Sequence, residues 1–118
     1  GLNPHCESNF NDSEEDKIIK PAIKIAKKKK LNVEGPFATD TLFIKKNIKK
    51  FDVVIGMYHD QVLTPLKTLY NFNAINITLG LPFIRISPDH GPNEILLGKN
   101  KSDPSSIFCA MRFINNIR

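Results

Sequence analysis

Apolar positions along this chain follow two different periods. In DSEEDKIIKPAIKIAKKKK (12–30), Ile18, Ala22, Ile25 and Ala26 share one helical face, with Ile19 and Ile23 beside them. Asp12 or Ser13 offers an N-cap, acidic residues fill the first turn, and Lys27 to Lys30 close the last, an order that complements the helix dipole. Pro21 lies inside this pattern and predicts a kink, or a helix whose main body starts there. LNVEGPFATDT (31–41) predicts a short strand around Val33 and a turn at Gly35-Pro36, followed by a helix carrying Leu42, Phe43 and Ile48. FDVVIGMY (51–58) is a continuous apolar run, the kind of strand found in parallel sheets covered on both faces. A short helix is expected over 62–70, a buried strand from Ala74 to Thr78, and a short extended piece from Phe83 to Ile86. After the loop SPDHGPNE (87–94), Asp103-Pro104 opens a last helix with Ile107, Ala110, Met111, Ile114 and Ile117 in clean helical register. Strands alternating with helices predict an α/β fold with a mainly parallel sheet.

Composition narrows the class. The chain has 118 residues, 41% hydrophobic and 25% charged. No apolar run approaches the roughly 18 residues of a membrane span. The first residue is Gly, with no charged-then-apolar leader behind it, so no secretory signal is expected and a cytoplasmic location is the default. The abrupt start, a loop with no preceding strand, suggests a piece of a longer chain. Cys6 and Cys109 form no CxxC pair, which argues against a disulfide framework. The formal charge of +5 raises nucleic-acid binding. The lysines, however, end one expected helix and stud another (Lys45, Lys46, Lys49, Lys50) without interleaved aromatics, which excludes that class as a leading reading.

Two polar groups stand out. Ligands of α/β sheets bind beyond the carboxyl ends of strands, and Tyr58-His59-Asp60-Gln61 occupies that place after the apolar run. His5 and His90 also lie outside expected helix and strand interiors. Neutral imidazoles suit Zn, Co, Fe or Ni, and Asp60 and Asp89 are candidates to orient them. For any single histidine the alternative is a hydrogen bond to a nearby carbonyl. The second group is Lys67, Asn76 and Arg85. Asn76 interrupts the apolar run AINITL, where a buried amide needs partners, and Arg85 suits a bidentate carboxylate or phosphate. Each has an intramolecular contact as its alternative. No GxGxxG, P-loop or GxSxG motif is present.

GLNPH, GPFATDTLF, MYHDQ, the Leu-Lys of TPLK, NITLGLPFIR and SPDHG occur in the order and spacing of one family. Over essentially its whole length the chain resembles the C-terminal third of the 4-hydroxythreonine-4-phosphate dehydrogenases of pyridoxal phosphate synthesis. The resemblance implies part of a two-domain α/β fold like the isocitrate and isopropylmalate dehydrogenases. Residues 1–62 would come from the dimerisation domain, and 63–118 would return to the first domain. It implies a homodimer with the site at the subunit interface, no nucleic-acid or membrane partner, and two cofactors, NAD or NADP and a divalent metal (Zn, Mg or Co). His5 and His59 match metal ligands, while the third ligand belongs to the upstream part. Lys67, Asn76 and Arg85 match substrate-contacting residues, Lys67 with a catalytic role in proton transfer.

The implied activity is oxidation and decarboxylation of 4-phosphooxy-L-threonine, a small phosphorylated hydroxy acid, to 3-amino-2-oxopropyl phosphate. Two segments depart from the family: CESNFNDSEED replaces a Gly-rich stretch after GLNPH, and Pro92-Asn93-Glu94 follows SPDHG. These keep open a paralogue acting on phosphoerythronate or phosphothreonate, or a non-catalytic metal-binding dimerisation module. The isolated chain is expected to be poorly stable and inactive.

Overall fold

The computed structural model describes residues 1–6 and 13–117, in two compact units, Gly1–Pro65 and Leu66–Arg118. The first unit opens with the GLNPH loop and a helical segment that begins as a π-turn, Glu15–Ile19, and continues as α1, Lys20–Lys28. Lys20 N–H reaches back five residues to the Glu15 carbonyl, and Pro21, which has no N–H to give, occupies the first turn of the α-helix proper. The main body therefore starts at the proline, one of the two outcomes expected. Asp12, one of the two expected caps, lies outside the described residues, as does most of the substituted stretch after GLNPH. Ser13 supplies a cap: its hydroxyl accepts from Asp16 N–H (3.3 Å) and donates to Asp16 Oδ2 (3.2 Å).

Beyond α1 the chain makes two single-turn helices, α2 (Thr39–Leu42) and α3 (Lys45–Ile48), in place of the one helix expected. Phe37 and Phe51 pack with ring centroids 5.3 Å apart. No strand forms around Val33 or along 51–58, and Val53 and Ile55 are 76% and 73% exposed. A strand exists only with a partner for its N–H and C=O groups, and none is present among the described residues. The parallel sheet expected from the run FDVVIGMY accordingly has no counterpart there.

Helix α4 covers His59–Tyr70, three residues longer at its start than expected, and the division between the units falls at Pro65 inside it. The second unit holds a hairpin of β1 (Ile75–Thr78) and β2 (Arg85–Pro88), and the final helix α5 (Ser105–Asn116). The strands pair antiparallel, Ile75 opposite Pro88, Asn76 opposite Ser87, Ile77 opposite Ile86 and Thr78 opposite Arg85. Side chains alternate across a strand, so Asn76, Thr78, Arg85 and Ser87 share one polar face, and Ile75, Ile77, Ile86 and Pro88 the other. Gly80, at φ +83°, turns the loop between them with a conformation that L side chains rarely adopt. At the start of α5, hydrogen bonds from Ser105, hydroxyl first and then N–H, hold the Asp103 carboxyl below its ordinary 3.8. Among the described residues the buried apolar side chains are Ala74 and Ala110, so the unit's core is thin. No helix among them is long and apolar enough to cross a membrane.

Candidate functional site

In the first unit the GLNPH loop is tied to its neighbours by two side chains. Gln61, 7% exposed in the first turn of α4, accepts from Met57 N–H (2.8 Å) and donates through Nε2 to the Gly1 carbonyl (2.6 Å). Glu15, 1% exposed, accepts from Asn3 N–H through Oε1 (2.6 Å). That N–H foremost holds the Glu15 carboxyl below its ordinary value, against the upward push of desolvation. The loop bearing His5 is thus fastened to the helix that begins with His59. Gly56 permits this turn: a Cβ there would lie 2.5 Å from Val62 Cγ1.

Both imidazoles are exposed. His5 is turned by its own N–H, which donates to Asn3 Oδ1 (3.0 Å). His59 Nδ1 lies 2.7 Å from Asp60 Oδ1, so with Nδ1 as the proton donor its Nε2 presents a lone pair outward. That carboxylate–imidazole pairing is the arrangement in which metal-bound histidines are commonly oriented, and it fits His59 as a ligand. No cluster of three or more His, Cys, Asp or Glu side chains suited to a metal occurs among the described residues. Cys6 and Cys109 are free thiols.

In the second unit Asn76 and Arg85 lie on the polar face of the hairpin, both exposed. Asn76 is therefore not the buried amide its apolar flanks suggested, because alternation turns it away from the isoleucines that flank it. Arg85 Nη1 donates to Thr78 Oγ1 directly across the ladder (2.8 Å). Lys67 is placed differently. Its ammonium pairs with Asp89 Oδ2 (2.9 Å) and donates to the Asp89 carbonyl, beyond the far end of β2, with the Phe72 ring 6.0 Å away. Four steps along the strand separate Arg85 from Asp89, about 13 Å. The three side chains thus mark the start, middle and end of one hairpin rather than one point.

Asp89 is consequently a partner of Lys67, not an orienting group for a histidine. His90 is exposed, with Nδ1 2.9 Å from the Gly91 carbonyl, the local contact considered as its alternative. Gln61 belongs to the polar run Tyr58-His59-Asp60-Gln61 that follows the apolar stretch, whereas Ser106 had no sequence signal beyond its type. The Ser106 hydroxyl, 1% exposed, donates to the Ala74 carbonyl (2.5 Å) and accepts from Asp89 N–H (2.8 Å).

A family model described as pyridoxal phosphate biosynthetic protein PdxA matches residues 1–114. The chain belongs to the PdxA family. It is 43% identical over 118 residues to the 4-hydroxythreonine-4-phosphate dehydrogenase of Xanthobacter autotrophicus, covering 99% of this chain and 34% of the relative. It is 50% identical over 107 residues to the protein of the same name from Sulfurihydrogenibium sp., covering 90% of this chain and 33% of that one. A crystal structure of a 4-hydroxythreonine-4-phosphate dehydrogenase from Burkholderia phymatum matches with a TM-score of 0.72 and 40% identity, over 96% of this chain and 35% of that one. The chain spans about one third of the length of the PdxA relatives it matches.

Proposed function

We propose that this chain is the C-terminal third of a metal-dependent NAD(P) dehydrogenase that converts 4-phosphooxy-L-threonine to 3-amino-2-oxopropyl phosphate with loss of carbon dioxide. The observation that carries the reading is the pairing of the His59 imidazole with Asp60 in a helix fastened to the His5 loop, within a chain matched end to end by relatives of that name. His5 and His59 supply two ligands of a divalent ion, Zn, Mg or Co, and a third comes from upstream sequence. When bound, the ion lends Lewis acidity to the substrate's hydroxyl oxygen, and NAD or NADP accepts the hydride.

The chain's own residues bind and orient. Asp60 holds the His59 ring so that Nε2 faces the ligand position. Arg85 offers a two-pronged fork to one anionic group of the substrate, carboxylate or phosphate, and Asn76 donates from the same face of the hairpin. Lys67 meets a second anionic group through Nζ and serves proton transfer there, while Asp89 holds its ammonium in place. A homodimer with the site at the subunit interface and a cytoplasmic location belong to the same reading.

The test uses the full-length protein, stripped of metal and reloaded, with NADH formation followed on 4-phosphooxy-L-threonine. Metal-dependent turnover in the wild type and its loss in His59→Ala, together with a reduced metal content, supports the assignment. Turnover of phosphoerythronate alone replaces it with the paralogue reading. Metal binding without any hydride transfer leaves the non-catalytic module.

A further inference from the structure

We propose that Ser106 is a positioning residue that sets Lys67 through Asp89. The last paired rung of the hairpin is Ile75 opposite Pro88, which would put Ala74 and Asp89 at the next one. The Ser106 hydroxyl stands in for that rung, donating to the Ala74 carbonyl and accepting from Asp89 N–H. A hydroxyl this enclosed needs both bonds, and both of its partners are main-chain groups that cannot swing away. The first turn of α5 is thereby bolted to the open end of the hairpin, and the main chain at Asp89 is fixed. Asp89 in turn meets Lys67 twice, by an ion pair through Oδ2 and through its own carbonyl, which accepts from the ammonium. An ammonium on a four-carbon stem has several rotatable bonds, and this double anchor is what selects one position for it. The hydrogen bonds of the Ser106 hydroxyl go to main-chain groups of Ala74 and Asp89, so its effect on Lys67 runs through Asp89.

The kinetic part of the test rests on the dehydrogenase reading, whereas a labelling part does not. In the full-length protein, limiting acetic anhydride followed by mass spectrometry reads the reactivity of Lys67 against exposed Lys24 as an internal reference. Ser106→Ala is expected to raise Lys67 labelling at least threefold, as is Asp89→Asn. The double variant should not exceed the larger single effect, because both act on one ammonium. Ser106→Cys, which keeps the volume and weakens both bonds, should give at least a twofold rise and carries the test if the alanine variant does not fold. In turnover, Ser106→Ala should raise KM for 4-phosphooxy-L-threonine at least fivefold and leave KM for NAD within twofold. Wild-type labelling in the folded serine variants overturns the proposal, as do additive effects in the double variant. So does a fall in apparent kcat with KM unchanged, which is what loss of folded protein alone produces. A wild-type protein that turns over no substrate refutes the dehydrogenase reading and leaves the labelling to decide the role of Ser106.

Discussion

Gln61→Leu tests whether the two expected metal ligands are held in register by one side chain. The substitution keeps roughly the volume and removes both hydrogen bonds, leaving the Met57 N–H and the Gly1 carbonyl without their partner. Each such bond contributes about 1 kcal/mol net, and an orphaned, partly buried partner adds to that, so the pair is worth about 2 kcal/mol. The loop would keep its other fastenings, Asn3 N–H on Glu15 and the Gly1 nitrogen on the Phe37 carbonyl, but lose the Gln61 link to α4. If the lost energy is expressed in the alignment of His5 with His59, metal affinity falls about 30-fold, since about 1.4 kcal/mol is a factor of ten. The assay is competition against a chelator of known affinity on the full-length protein, paired with urea unfolding of the metal-free form. A loss of unfolding free energy near 2 kcal/mol with unchanged metal affinity would refute the link between the clamp and the ligands. Unchanged stability would refute the hydrogen-bond accounting itself.

The isolated 118 residues should show a broad, non-cooperative thermal transition by circular dichroism and bind a hydrophobic dye, given a buried apolar set of Ala74 and Ala110 among the described residues; a sharp two-state melt would contradict this. Gly56→Ala in the full-length protein should cost about 1–3 kcal/mol in chemical unfolding, because the added methyl meets Val62, and Val62→Ala in the same chain should recover most of it. Glu15→Gln should remove an acid sensitivity. The folded carboxyl titrates below its ordinary 4.5, so its stabilising contribution is fully present above that value and is lost as pH falls through the lower folded one. Urea midpoints for wild type and Glu15→Gln should then differ by a constant amount above pH 4.5 and converge below it; parallel curves would contradict the assignment.

Helix α5 was legible from the chain alone because its signals are local: Asp103-Pro104 starts it and its apolar residues keep one period. The extent of α4 was partly legible, its first turn hidden because His59 and Asp60 were read as the end of a strand. The run 51–58 misled for a physical reason. Apolar continuity records that a segment is meant to be covered, while a strand also needs a neighbour to take its hydrogen bonds, and none is present among the described residues. Asn76 misled because burial was inferred from its neighbours along the chain, whereas the hairpin register gives adjacent residues opposite faces.

The sequence by itself determined family membership, the helical periods and the residue types available for chemistry, since these depend on the order of side chains alone. It also marked His5 and His59 as one group of candidates and Lys67, Asn76 and Arg85 as another, without placing them in space. Only the tertiary structure decided those relations. It fastened the His5 loop to α4 through Gln61, put Asn76 and Arg85 on one face, and turned Lys67 onto Asp89 beneath a buried Ser106 hydroxyl. Such contacts join residues up to 60 positions apart. Several of them join a side chain to a main-chain group, the Gly1 carbonyl, the Asp89 carbonyl or the Asp89 N–H. Because nearly every residue type carries such groups alike, no pattern of side chains along the chain marks which one will be met.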